Sequence, residues 1–298
     1  VDTRQLAAFC AVVERSSFSQ AAERLGVTQP AVSLQIRALE ERLGSRLLDR
    51  SGRRVEPTEA GRRLYRSAQR LLRAEQQLFD DVAAAEPADL RGRLLVGAST
   101  GPGGRLVPLL LCEFAALHPR LRVSLSIFDT QTVIDQVAAR ELELGVVGAR
   151  TRARSLSFEP LVRDEIVLAV PAGHRFAGRT VELDELASEV LIEMQEGAGV
   201  RQVVEEELRR AGARLRPGSR IELGLQESVK SAVAAGHGVG FISRTALEDE
   251  LAEGALAAAT VKGLRPARQV WLVRAAGRVP TRAAEAFVEF ARSRSSSR

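Results

Sequence analysis

Apolar residues near the start of the chain recur at helical spacing, and the pattern breaks at "GVTQP" (26–30). "SFSQAAERLG" (17–26) predicts a short helix that Ser19 can cap, with Ala21, Ala22 and Leu25 on one apolar face. Gly26 supplies the positive φ that ends a helix, and Val27 is expected to tuck into the core behind it. Thr28 is placed to cap the next helix, and Pro30 is tolerated in its first turn, where N–H groups lack intrahelical acceptors. Val32, Ile36, Leu39 and Leu43 follow at spacings of 4, 3 and 4, an inward stripe. At about 100° per residue, Pro30, Ser33, Leu34 and Arg37 fall on the other side, with Gln29 at the exposed N-terminal end.

Two short helices joined by a glycine turn, with small Ala22 at their closest approach, predict a helix-turn-helix. The break sets the crossing angle that lets the second helix enter a major groove. Gln29, Ser33 and Arg37 can hydrogen-bond base edges or phosphates there, and Leu34 can meet a thymine methyl. An ordinary αα-hairpin has the same outline. The segment that follows, "SRLLDRSGRRVEPTEAG" (45–61), places Ser51-Gly52 between two strand-like runs, a hairpin with Arg50, Arg53 and Arg54 near its tip. A basic hairpin after a recognition helix is a wing, suited to phosphates or the minor groove. Thr58 then caps a third helical pattern carrying Leu64, Ala68, Leu71, Leu72, Leu78, Phe79 and Val82. From Thr58 to Glu86 such a helix is ~43 Å long. Its apolar stripe has no domain around it and calls for a partner helix, so dimerisation is expected, with two reading heads on a pseudo-palindromic site.

Residues 92–298 alternate strand-like and helix-like segments. Strands are expected at 93–99, 122–129, 143–148, 164–171, 190–194, 220–224, 239–243 and 268–274, with helices at 103–119, 200–212 and 228–236 and a final helix at the end. This alternation predicts α/β layers with mainly parallel sheets, whose ligand sites lie at the carboxyl ends of strands.

Charge separates the two parts. Residues 1–73 hold 14 Arg against 8 Asp and Glu, a surplus of six, while the remainder holds 29 basic and 30 acidic residues. The whole positive excess lies in the N-terminal quarter, which favours a polyanion partner over an ordinary helical hairpin. The first residues lack the basic start and apolar run of a signal peptide, and no stretch approaches ~18 apolar residues, so a cytoplasmic protein without a membrane role is expected. Cys10 and Cys112 form no disulfide framework or metal-ligand spacing and read as two buried small hydrophobes.

Catalysis finds no foothold. His118, His174 and His237 are scattered, and no HxxE, Gly-x-Ser-x-Gly, Walker or CxxC pattern occurs. "GHGVG" (236–240) follows a helix, the wrong context for a dinucleotide site. The chain reads as a non-enzyme without cofactor or metal.

The segment "SFSQAAERLGVTQPAVSLQIRALEERLGSRLLDRSGRRVEPTEAG" resembles the LysR-type transcriptional regulators, and the resemblance extends over essentially the whole chain. A common pattern in that family has Arg where this chain has Leu34, which favours apolar readout at that point. "GAGVRQVVEEEL" and "ESVKSAVAAGHGVGFIS" are similar to the branch of sulfur-assimilation and carbon-fixation regulators. The resemblance implies a winged helix-turn-helix (1–58), a linker and dimerisation helix (59–90) and an effector-binding domain (91–298). That last domain would be α/β, with two Rossmann-like lobes of type 2 periplasmic-binding-protein architecture. The chain would cross between lobes near 162–164 and 266–268, making lobe one 92–162 plus 269–298 and lobe two 163–268. Implied partners are double-stranded DNA, further copies of the chain as dimer and tetramer, and RNA polymerase. A solute-binding protein of transport type is the rival, but it would need an export signal and would not carry a basic helix-turn-helix.

Within such lobes four segments point at the cleft. "GASTGPGG" (97–104) sets Ser99 and Thr100 between a strand end and a helix start, where hydroxyls and free N–H groups can hold an anion, though both also suit plain helix capping. "QEGAGVR" (195–201) offers Gly197, Ala198 and Gly199 for close approach in the other lobe, with Arg201 beside them. "DTQTV" (129–133) and "QESVK" (226–230) add Thr130, Gln131, Gln226 and Ser228 at strand ends, and Gly148 closes another. Lys230 is one of only two Lys among 43 basic residues, and either a ligand contact or a plain surface charge fits it. The effector expected from opposed helix N-termini is a small oxyanion or carboxylate. For the wing, Arg53→Ala is expected to lower affinity about equally on all DNA sequences and to flatten the salt dependence. Salt-titrated binding to specific and random duplexes checks this; a loss confined to one operator variant contradicts it.

Overall fold

Asp2 opens the first helix with a capping box: its carboxylate accepts from Arg4 N at 2.9 Å while Gln5 Oε1 accepts from Asp2 N at 3.2 Å. The computed structural model describes residues 2–50, 54–83, 90–151, 153–277 and 279–295, in two units, Val1–Ala88 and Asp89–Arg298.

In the first unit, α1 (Thr3–Arg15), α2 (Phe18–Leu25) and α3 (Gln29–Leu43) pack around Phe9, Ala21, Val32, Ile36 and Leu39, all fully buried. The inward stripe of α3 is as predicted through Leu39, whereas Leu43 is exposed, one turn beyond the reach of the core. Three local expectations are corrected. Ser17, not Ser19, is the N-cap of α2, accepting from Gln20 N at 3.4 Å, because the helix begins as soon as Phe18 can pack on the core; Ser19 lies exposed inside it. Gly26 does end α2 at φ 67°, but Val27 faces solvent, since its N–H is tied back to Ala22 O at 3.0 Å. Thr28 stands at the N-cap position of α3, yet its hydroxyl makes no capping bond; Pro30 removes one of the two donors it would serve.

Two-residue strands β1 (Leu48–Asp49) and β2 (Glu56–Pro57) pair antiparallel as the base of the wing. The Ser51-Gly52 turn and Arg53 lie outside the described residues. Thr58 begins α4 (Glu59–Ala83): its hydroxyl accepts from Gly61 N at 3.0 Å and donates to Arg46 O at 2.8 Å. Gly61 is required by contact, because a Cβ there would stand 2.1 Å from Leu47 O. Leu64, Ala68 and Leu72 join the core, while Leu71 and Phe79 are exposed, Phe79 by 67%. The side chains of Leu78 and Val82 lie outside the described residues. Tyr65 donates to Glu14 Oε1 at 3.1 Å, and burial with that carboxylate beside it pushes the phenol up to about 12.

The second unit is built on an eight-stranded sheet in the order β4-β3-β5-β12-β6-β11-β7, with β10 also on β6. The members are β3 (Gly92–Ser99), β4 (Leu121–Phe128), β5 (Leu144–Val147), β6 (Leu156–Pro171), β7 (Thr180–Val181), β10 (Gly240–Ser243), β11 (Leu256–Val261) and β12 (Ala267–Ala275). A separate parallel pair, β8 (Val190–Met194) and β9 (Ser219–Leu223), is bridged to β10 at Leu191 and Val239. Helices α5 (Thr100–Gly104), α6 (Leu106–Leu117), α7 (Thr130–Ala138), α8 (Gly199–Arg210), α9 (Gln226–Ala234), α10 (Glu248–Glu253) and α11 (Arg282–Ser295) cover these strands.

Strands β3, β4 and β5 run parallel, whereas β12 runs against β5 and β6, and β10 and β11 run against β6. Alternation places Leu94, Val96 and Ala98 toward α6 and α11 and Leu95 toward α7. The first lobe has these two clusters; the second is packed around Ile166, Leu168, Val170 and Phe241 on one side and Ile192, Val229 and Val233 on the other. β6 begins eight residues before the expected start and serves both lobes: Leu156–Glu165 pair with β12 and Ile166–Pro171 with β10 and β11. β7, α10 and β11 were not anticipated. Cys10 is buried as expected, but Cys112 is exposed, on the outer side of α6. No helix among the described residues is long and apolar enough to cross a membrane.

Thr58→Ala removes a cap and a tie to the wing together, and is expected to destabilise the first unit by ~1 kcal/mol. Its thermal unfolding, followed by circular dichroism, should fall by a few degrees, and an unchanged midpoint contradicts the role.

Candidate DNA-reading face and ligand cleft

α3 presents its outer face to solvent beside the wing. Gln29 and Pro30 are exposed in its first turn, and Gln29 Nε2 donates to Ser33 Oγ at 3.1 Å. Leu34 is 69% exposed, which no packing requirement within the unit explains. Arg37 is exposed and donates through Nε to Glu41 Oε1 at 3.0 Å, a solvent-screened pair that a phosphate or base acceptor can replace. Together with Arg46, Arg50 and Thr58 these residues line one open groove.

The wing is held against this helix by Glu40. Its Oε1 accepts from Leu47 N at 2.7 Å and Leu48 N at 3.2 Å, and its Oε2 from Arg50 Nη2 at 3.4 Å. Arg50 also lies over the Phe18 ring at 4.8 Å, so it is a fixed cation, whereas Arg54 is exposed further along the wing. Glu40 carries a structural role that helical spacing alone does not reveal.

In the second unit, the strands that pass between the lobes meet at an ion pair. Asp164 of β6 and Arg268 of β12 are register partners, and Arg268 Nε donates to Asp164 Oδ2 at 2.9 Å. The side chains are 4% and 6% exposed, and Ser243 Oγ donates to the other carboxylate oxygen at 2.5 Å. Only Nε of Arg268 is engaged; Nη1 and Nη2 have no acceptor among the described residues. They turn toward three glycines. A Cβ at Gly101 would lie 2.5 Å from Nη2, and one at Gly148 or Gly199 would lie 3.1 Å from Nη1. Backbone therefore approaches the guanidinium from α5 and the end of β5 in lobe one, and from the first turn of α8 in lobe two.

Several expected residues converge here. Ser99 is buried at the end of β3, and its Oγ accepts from Gly148 N at 3.2 Å, which leaves its own proton to donate. Thr100 is exposed at the start of α5, and neither it nor Ser99 makes a side-chain capping bond there. Gly197, at φ 82°, and Ala198 turn the chain into α8, which has no side-chain cap. Gln226 is buried in the first turn of α9 with Oε1 lacking a partner, and Ser228 is half-buried two residues on.

Others are directed elsewhere. Asp129 caps α7 through Thr132 N at 2.9 Å, and the Thr132 hydroxyl and amide hold its carboxyl below the usual range. Thr130 is half-buried in that turn, and Gln131 donates to Asp135 at 2.8 Å. Arg201 is bound to Glu205 at 2.8 Å, to Glu222 at 2.7 Å and to Met194 O. Lys230 is bound to Glu227 at 2.8 Å and Glu250 at 2.9 Å; burial opposes its charge, but the two carboxylates more than offset this and raise its pKa. Of the cations considered, the one at the strand crossing with free Nη donors among the described residues is Arg268, which sequence reading passed over as one more arginine in a strand. Its position at the predicted crossing, opposite an aspartate, was the available signal.

A second link joins the lobes away from this centre. Arg105, between α5 and α6, donates to Asp249 at 2.6 and 2.8 Å, to Glu248 at 2.5 Å and to Thr245 O at 3.4 Å.

Comparison with known proteins agrees with this division. Residues 3–62 match the family described as bacterial regulatory helix-turn-helix protein, lysR family, and residues 87–296 match the LysR substrate binding domain. The HTH-type transcriptional regulator CysL of Bacillus subtilis (strain 168) is 32% identical over 83% of this chain and 82% of its own length. The RuBisCO operon transcriptional regulator of Allochromatium vinosum is 31% identical over 97% of this chain and 95% of its own. Among solved structures, full-length CbnR complexed with its target DNA superposes with a TM-score of 0.72 at 26% identity, covering 98% of this chain and 99% of that one. With a winged reading head and a two-lobed ligand-binding unit in one chain, the protein belongs to the LysR family of DNA-binding transcriptional regulators.

Proposed function

We propose that the second unit senses a small oxyanion or carboxylate gripped by Arg268 between the lobes, and that the ligand resets how the reading heads engage DNA. One observation carries the reading: a buried guanidinium held by Nε alone, with both Nη donors facing a cradle of glycines. An acid fits such a fork with two parallel charge-assisted hydrogen bonds. Ser99 and Thr100 supply hydroxyls, Gly148 and Gly199 the close backbone, and the first turn of α8 a favourable dipole. Gln226 and Ser228, in the first turn of α9, are proposed as further effector contacts, while Arg201 and Lys230 act within lobe two as structural cations.

Contacts from both lobes give an anion differential affinity for one lobe arrangement, the condition for shifting a population. The expected output is a change in the spacing or bend of DNA held by paired heads. Exposed Leu71 and Phe79 on α4 favour a dimer, and pairing of dimers into a tetramer with contact to RNA polymerase completes the proposed assembly. The reading requires no catalysis and no cofactor beyond the effector, and it places the protein in the cytoplasm. On DNA, Gln29, Ser33, Leu34 and Arg37 read bases, with Ser19, Thr28, Pro30, Arg50, Arg53 and Arg54 along the backbone.

Arg37→Ala is expected to weaken operator binding by ~1–3 kcal/mol if it reads a base; an unchanged footprint titration removes it from the interface. For the cleft, thermal shift of the full chain against sulfate, phosphate and small carboxylates should reveal a stabilising anion. Gly101→Ala, whose methyl would meet Arg268 Nη2, and Arg268→Gln should both abolish that shift while leaving operator affinity within about twofold. An anion response retained in both variants overturns the assignment.

A further inference from the structure

Along α8 in lobe two lies a cavity of about 510 Å³ whose lining does not include Arg268 and which the cleft reading does not use. Its floor is apolar: Val200, Val204 and Leu208 from one face of α8, Met194 and Phe241 from the strands, and Leu215 from the loop after the helix. All but Leu215 are buried, and they form the floor of a recess that is open to solvent along its rim. The volume lies within the range of small-molecule sites.

The rim is basic and mostly committed. Four arginines line it against two glutamates. Arg220 donates to Glu193 at 2.9 and 3.1 Å and to Leu215 O at 3.1 Å, Arg201 is bound to Glu205 and Glu222, and Arg209 pairs with Glu206 at 2.5 Å. Arg214 is the exception: it is exposed at the mouth, and no carboxylate among the described residues partners it. An apolar chamber with an unpaired guanidinium at its opening is complementary to a molecule with the opposite layout.

We infer that this cavity binds an amphipathic organic acid, with its apolar body among Val204, Leu208 and Phe241 and its anionic group at Arg214. A purely inorganic anion has nothing to fill the chamber, and a neutral apolar molecule leaves Arg214 unanswered. The site is independent of the cleft at Arg268 and stands or falls separately from it.

Isothermal titration calorimetry of the full chain with naphthalene-2-carboxylate tests this, with naphthalene-2-carboxamide and acetate as the body without charge and the charge without body. The carboxylate is expected to bind once per chain, the carboxamide at least tenfold more weakly, and acetate not measurably. Ala213→Trp, which fills the chamber from a half-buried position on its lining, should abolish binding. Arg214→Glu, at an exposed position, should weaken the carboxylate at least tenfold and leave the carboxamide unchanged. Arg268→Gln should have no effect on either. Absence of saturable carboxylate binding, binding indifferent to both Ala213→Trp and Arg214→Glu, or binding lost in Arg268→Gln overturns the proposal.

Discussion

The ion pair of Asp164 and Arg268 is the interaction on which the ligand-binding unit turns. Both charges sit where two strands pass between lobes, almost wholly removed from water. Desolvating such a pair costs several kcal/mol per ion, and the attraction between the partners offsets this only when their remaining hydrogen-bonding groups are also satisfied. Asp164 meets that condition, with Arg268 on one oxygen and Ser243 on the other. Arg268 does not. A well-packed apolar pair would hold β6 to β12 at least as well, given the Val162 and Val270 register pair beside it. Stability alone therefore gives little reason for an arginine here; the proposed acidic ligand, completing its hydrogen bonds, would supply one.

The lobes are then connected in two different ways. Arg268 acts on the crossing strands themselves, and the glycines around it belong to both lobes, so an anion seated there is gripped from both sides. Arg105 ties α6 to the segment 245–249 with a full set of charged and carbonyl acceptors and needs no ligand. With the Arg105 link made in this structure without a ligand and the Arg268 link completed only by the proposed anion, ligand binding would change the balance between lobes at the Arg268 side. A lobe motion that left Arg105 engaged would be a twist rather than a wide opening.

Much of this was legible in the sequence because it rests on periodicity and turn chemistry. The stripe Val32, Ile36, Leu39, the positive φ at Gly26 and the cap at Thr58 all follow from local rules. Local rules failed where tertiary packing chose between equals. "SSFSQ" offers three serines, and the contact of Phe18 with the core selects Ser17; Val27 and Leu43 are apolar but lie past the last helix turn the core can reach. The early half of β6, "LSFEPLVR", lacks clean alternation because its ladder with β12 shifts register between Pro160 and Val162. In the cleft, Ser99, Gly148 and Gly199 were readable as strand ends and helix starts. Arg268 was not, since a buried arginine in a strand has no sequence signature apart from the register partner that justifies it.

The reading head shows why the sensor must act at a distance. Glu40 projects from α3 and accepts the backbone of Leu47 and Leu48 and the guanidinium of Arg50, so the wing root and the recognition helix form one body. Thr58 and Gly61 then fix the start of α4 against the same segment at Arg46 and Leu47. Bending one of these elements relative to another would strand several partly buried hydrogen-bonding groups at once, each at a cost of ~1–3 kcal/mol. A population shift driven by an anion has only a few kcal/mol to distribute. The energetically accessible response is to move whole heads relative to one another through α4, leaving the base contacts of each head as they are. On the proposed reading, ligand control would be expressed in where two heads can sit on DNA, and not in which bases either one reads.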